Sequence, residues 1–324
     1  MVQGSGTTTL RHLLTQSKPP VPCTARNSRN TSKSEWPELK PASISRWDDF
    51  NFETLNRSYG FLLDLELPLE ELRGAPEAAT VLRGVAITTH AEIQQLIVWN
   101  DSVLQPALNS AKKLLNLHVG VELKHMLSLD NTPFYMRPGD GPSVRVDHCV
   151  ALDDVPSFKL VMGLGRPASK VQAHKLFTDP DKTSLEHRWP LRQLANLCEE
   201  AQTRYGYIMT EENLTVCCFY RKEASSGEAA RANVAGRPAR TAVAADAEWL
   251  VAIMPVPWTR HGESQLITDL ALWWLCMLAL SGPENRALVT KDQTVGINEW
   301  PVVVADDGSV VLIHPYSGVQ EPFP

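Results

Sequence analysis

The sequence predicts a mixed α/β domain in which a central mixed β-sheet is flanked by helices. Three observations predict it. An apolar repeat near 3.6 residues runs through 89–116, where Ile93, Leu96, Ile97, Asn100, Leu104, Ala107, Leu108 and Ala111 recur on one side. Four short apolar or alternating segments follow at 119–127, 133–136, 144–152 and 157–164, and they read as strands. A second helical repeat at 187–204 separates these from two more strand-like runs, YGYIM and NLTVCCFY.

In chain order, residues 1–45 are rich in Ser, Thr and Pro and show little apolar periodicity, which predicts a disordered tail. The tail is basic, since its first acid is Glu35, after Arg11, Lys18, Arg26, Arg29 and Lys33. A hydroxyl-rich, acid-free start also suits a mitochondrial transit peptide. One globular domain is expected over 46–324, beginning with short helices at 48–60 and 68–74. Thr89 with Glu92 three residues later fits a capping box at the head of the long helix. Pro106 should kink or split that helix. RPGDGP at 137–142 is turn chemistry. Residues 223–247, rich in Ala, Gly and Arg, are expected to form a flexible insertion. A strand at 248–254 and a buried helix at 264–281 follow. WPVVVADDGSVVLIHP closes as a hairpin with Asp307–Gly308 at its tip.

Composition narrows the class. A 43% hydrophobic content with nine Trp supports a real core. A net charge of −6 carries no chain-wide basic footprint for nucleic acid. Locally, residues 221–240 set Arg221, Lys222, Arg231, Arg237 and Arg240 against Glu223 and Glu228, an excess of cations that can touch phosphates weakly. None of the six cysteines forms a CxxC pair, which points to a reducing, intracellular compartment, cytoplasmic or nuclear. Residues 1–30 lack the apolar segment of a secretory signal. The most apolar stretch, Leu266–Leu280, is short for a membrane span and contains Asp269, so a buried helix and no membrane association are expected.

Two phrases carry a family resemblance. QLANLCEEAQTRYGYIMTEENLTVCCFY (193–220) and PVPWTRHGESQLITDLALWWLCMLAL (255–280) resemble segments of a fungal PD-(D/E)XK nuclease-like family. The order of a helix, three or four strands, a helix and further strands resembles its restriction-endonuclease-like core. The resemblance covers about 85–320 and implies where a catalytic centre should lie. Such nucleases hold Mg²⁺ with carboxylates on adjacent strands, because the ion demands hard oxygen ligands. A Lys two residues beyond the second acid addresses the attacking water. By this resemblance the first acid is Asp147, the second acid position holds Leu164, and the Lys position holds Arg166. Leucine cannot bind a metal, and a permanently charged Arg does not replace the Lys. Glu92 matches an extra acid on the long helix, and Gln193 matches a Gln that opens the following helix. Asp153 and Asp154, in the turn before the strand, are the available substitutes for the missing acid.

The resemblance therefore implies a degenerate, catalytically inactive member acting as a binding or interaction module. It needs no cofactor, with Asp147 the remaining candidate metal ligand. Two alternatives stay open. One is a Mg²⁺-dependent nuclease with an unconventional acid. The other is a nucleotide-binding protein using Gly163-x-Gly165-x-x-Ala168, which fits a dinucleotide fingerprint after a strand. A serine or cysteine hydrolase lacks a G-x-S-x-G motif, and His174, His187, His261 and His314 have no metal-ligand spacing.

Overall fold

A computed structural model describes residues 6–25, 29–72, 75–125, 135–136, 144–153, 158–179, 183–222, 248–305 and 307–323. The first half of the chain contains β1 (Thr7–Thr8), α1 (Leu10–Leu14), β2 (Ile44–Arg46), α2 (Phe52–Leu63), β3 (Leu67–Pro68), α3 (Ala78–Val81) and α4 (Gln94–Leu114). Then come β4 (Val121–His125), β5 (Tyr135–Met136), β6 (Val144–Arg145), β7 (His148–Leu152) and β8 (Lys159–Gly165). These are followed by α5 (Lys175–Thr178), α6 (Leu185–Ala201), β9 (Tyr205–Met209), β10 (Asn213–Arg221) and β11 (Trp249–Pro257). The remainder is α7 (Thr268–Leu280), α8 (Pro283–Arg286), β12 (Val302–Val304), β13 (Val310–Ile313) and β14 (Gln320–Pro322).

Seven strands form the central sheet in the order β2-β11-β10-β9-β8-β7-β4. β4, β7 and β8 are an antiparallel meander. The α6 crossover then lays β9 parallel to β8, the connection that a parallel neighbour requires. β10 and β11 continue antiparallel, and β2 closes the edge parallel to β11. Helices α4 and α7 cover one face and α6 the other. Two apolar cores result, one on each side of the sheet. β8, β9 and β10 are buried on both faces, which is why they read as near-continuous apolar runs. Burial of α7 is nearly complete: Leu270, Leu272, Trp273, Trp274, Leu275 and Leu278 are inaccessible. Among the described residues, no helix is long and apolar enough to cross a membrane. All six cysteines are free.

The longer periodic elements fall where the sequence placed them, with three local differences. The helix expected at 68–74 is instead the end of β3 followed by a four-residue 3-10 turn, Leu69–Leu72. α4 runs through Pro106 as one helix. The segment 144–152 is two strands, broken at Val146 and Asp147. The closing hairpin turns at Gly308 with φ +83°, a conformation that Gly adopts without a Cβ penalty. The expected insertion 223–247 and the turn 137–142 lie outside the described residues.

The expectation of a disordered tail over 1–45 is corrected for the described residues. Leu10, Leu14 and Leu39 are at most 1% exposed, and Ile44 and Ser45 supply part of the edge strand β2. Short amphipathic pieces such as LRHLL bury their apolar side chains against larger elements, which local composition does not show. The segment is also held by charge. Lys18 Nζ lies 2.9 Å from Asp269 Oδ1 at the head of α7, with both side chains buried. Asn100 Nδ2 donates to the same oxygen at 2.6 Å, and the ammonium sits 4.5 Å from the Trp258 ring centre. Burial lowers the Lys18 pKa, opposed by the Asp269 charge. Asp269, which interrupts the most apolar stretch of the chain, is thus the anchor for the N-terminal segment.

Removing one member of a buried pair strands the other. Lys18→Met is therefore expected to cost about 3–5 kcal/mol in urea unfolding. Lys18→Met with Asp269→Leu should recover most of that loss. A Lys18→Met loss below about 1 kcal/mol would show that the pair is not needed.

Candidate functional site

The carboxyl end of β8 meets the amino end of β7 beside the head of α4 and the middle of α6. Gln193 lies about two turns inside α6 and does not open it. The antiparallel register pairs His148 with Gly163 and Cys149 with Met162. One further step of the same register sets Asp147 across from Leu164. Asp147 occupies the break between β6 and β7. Its Oδ2 accepts the Gly165 N–H at 3.2 Å and Arg166 Nη1 at 2.6 Å. The other end of the guanidinium donates from Nη2 to Gln193 Oε1 on α6 at 2.7 Å. Nη1 also reaches the Gly165 carbonyl at 2.5 Å. Asp147 and Arg166 side chains are 10% and 21% exposed, so this pair is shielded well beyond an ordinary surface contact.

Three of the sequence-predicted residues, Asp147, Arg166 and Gln193, are therefore brought together. Leu164 is adjacent but fully buried, packed in the core on the α6 side with Cys149, Leu191 and Leu194. Glu92 is not part of the cluster. Its carboxylate caps the helix head, taking the Thr88 and Thr89 N–H groups at 2.6 and 3.1 Å and the Thr88 hydroxyl at 2.8 Å. These bonds, led by the Thr88 N–H, hold its pKa below the usual carboxylate value. The local capping box has claimed an acid that the resemblance assigned to the site. Asp153 follows the far end of β7 from Asp147, where its N–H bonds to the Gly120 carbonyl. It does not replace the acid at position 164. Asp154 lies outside the described residues.

The dinucleotide reading of Gly163–Ala168 is also corrected. Among the described residues no α-helix starts directly after β8, the next being the four-residue α5 at Lys175. The chain passes through Pro167 into a three-residue 3-10 turn, Ala168–Lys170, and α6 starts only at Leu185. The glycines serve packing. A Cβ on Gly163 would lie 2.5 Å from the Tyr207 ring, and one on Gly165 would lie 2.6 Å from Ile93 Cγ2. Their absence of side chains lets Tyr207 and α4 approach the strand. The basic stretch 221–240 is described only at its start. There Arg221 bonds to Glu199 at 2.7 Å and Lys222 pairs with Glu248, so these two cations are already neutralised.

Sequence reasoning missed the groups behind Asp147. Tyr207 OH lies 2.7 Å from His148 Nδ1. His148 Nε2 lies 2.8 Å from Asp101 Oδ1, at ion-pair distance but out of hydrogen-bonding alignment. All three residues are buried, and burial pushes the Tyr207 hydroxyl well above its usual pKa. Two signals existed. Asp101 is an acid on the apolar stripe of α4, one turn after Ile97, and His148 directly follows Asp147 inside an apolar strand.

Divalent-metal chemistry does not fit the donor set. One oxygen of the Asp147 carboxylate already receives two donors, and Asp101 is turned to the His148 ring on the other side of the strand. Leu164 offers only alkyl carbon. A dication about 4 Å from the guanidinium would be opposed by roughly 8 kcal/mol at an effective dielectric of about 20. Among the described residues, no group of three or more His, Cys, Asp or Glu is arranged to hold a metal ion. No protein-family model matches the chain, and no curated protein matches it in sequence.

Gly163→Ala should overpack the β8–Tyr207 contact and cost about 1–3 kcal/mol. Chemical denaturation measures this, and an unchanged midpoint would contradict the close approach.

Proposed function

We propose that the chain is a catalytically inactive nuclease-like protein of the PD-(D/E)XK type that acts as a binding module. The order of elements supports the kinship: a helix, an antiparallel meander, a crossover helix and a parallel strand, α4-β4-β7-β8-α6-β9. The positions of Asp147, Arg166 and Gln193 support it further, since residues matched by motif also meet in space. The observation that carries the inactive reading is the Arg166–Asp147 contact of 2.6 Å. A fixed, always-charged guanidinium takes the carboxylate that a catalytic cation would need. An intracellular, reducing setting belongs to the same proposal and is supported by six unpaired cysteines.

Two experiments test it. Incubation with single- or double-stranded DNA in Mg²⁺ or Mn²⁺ should yield no cleavage, and cleavage abolished by Asp147→Ala would overturn the reading. Calorimetric titration should find no stoichiometric Mn²⁺ site in the parent. The double variant Leu164→Glu, Arg166→Lys buries a new carboxylate beside Asp147, so it should be less stable than the parent. Mn²⁺ should bind it and raise its melting temperature. A folded double variant that ignores Mn²⁺ would show that positions 147 and 164 do not form the ancestral metal site.

A further inference from the structure

A pocket of about 600 Å³ opens at the carboxyl ends of the parallel pair β8 and β9. Crevices outside the carboxyl ends of parallel strands are where α/β sheets present ligands, and the volume falls in the range of about 300–1,000 Å³ of small-molecule sites. Its apolar lining comes from small side chains, Cys23, Ala25, Ala168, Val171 and Ala173. The N-terminal segment carrying Cys23 and Ala25 is held there by backbone bonds to Ile87, from Thr24 N at 2.7 Å and to Pro22 O at 2.8 Å. Beside it, Gln172 holds φ at +45°, a conformation that costs a non-glycine residue energy and is kept where surrounding structure enforces it.

The charges on the lining are of both signs and come from different segments. Lys175 belongs to the connection after β8, whereas Glu211 and Glu212 form the turn between β9 and β10. Glu211 is engaged, accepting the Ala168 N–H at 2.9 Å. The Cys23 thiol beside it is pushed up by burial, with the Ala25 backbone bond opposing and the Glu211 charge and hydrogen bond adding to the rise. Lys175 and Glu212 are different. Neither enters an ion pair with the other or with any described residue. Two opposite charges therefore line one small-molecule-sized pocket, on opposite segments, without satisfying each other.

We propose that this pocket binds a small zwitterion of amino-acid or short-peptide size, its carboxylate on Lys175, its ammonium on Glu212 and its apolar body against Val171 and Ala173. The inference goes beyond the inactive-nuclease reading and does not depend on it, because the pocket uses neither Asp147 nor Arg166.

The dipeptide alanyl-leucine is the probe, titrated into the full chain by calorimetry, with its N-acetyl and C-amide derivatives as charge-deleted controls. Binding in the millimolar range or tighter is expected. Lys175→Met should weaken the free dipeptide about tenfold but leave the C-amide unchanged. Glu212→Gln should weaken the free dipeptide about tenfold but leave the N-acetyl form unchanged. Both positions are exposed, so these variants should fold as the parent does. No binding of the dipeptide at ~10 mM, a dissociation constant far outside the range of specific sites, would overturn the proposal. Binding that ignores both variants, or that the capped forms match in the parent, would overturn it equally.

Discussion

β8 is buried on both faces, and the close approach of its neighbours sets most of what surrounds it. On one side Gly163 and Gly165 leave no Cβ between the strand and Tyr207, Ile93 and Gln94. On the other side Met162 and Leu164 complete the core beneath α6. A strand packed in this way has little room for a charged group at position 164. Leu164 at that position fills the α6 core. The residue two places on, Arg166, emerges at the end of the strand and finds Asp147 and Gln193. The packing of the strand and the Asp147–Arg166 contact at its end share the same geometry.

Two clusters of buried polar groups join distant parts of the chain. Lys18, Asp269 and Asn100 form one cluster that joins the N-terminal segment, α7 and α4. Arg204 forms a second, donating to the hydroxyls of Tyr205 and Tyr316 at 2.9 Å each. Tyr316 follows β13, so this contact ties the closing three-stranded sheet to the central one. In both cases a charged group is placed where leaving it unpaired would be expensive, and distant parts of the chain are fixed relative to each other. The Asp147–Arg166 pair works in the same way between β7, β8 and α6.

Elements with strong period were legible in the sequence. The stripe from Ile93 to Ala111, the alternation around 119–127 and the Asp307–Gly308 turn each encode their own conformation through neighbours a few residues away. The N-terminal segment was not legible, because Leu10, Leu14 and Lys18 are ordered only by partners far along the chain, Asp269 among them. The site was legible in part. Asp147, Arg166 and Gln193 were found by resemblance and meet in space, yet Glu92 satisfied a local cap at Thr88 and Thr89. The Asp101, His148 and Tyr207 group joins three separate elements, and no single stretch of sequence announces such a group.

The central claim is that the Arg166 guanidinium holds the carboxylate of Asp147 against any divalent cation. Anomalous diffraction from crystals of the unaltered chain soaked in Mn²⁺ tests this most directly. The account predicts no manganese peak at ligand distance from Asp147, with Arg166 still bridging Asp147 and Gln193. A peak on the Asp147 carboxylate with Arg166 swung away would contradict it.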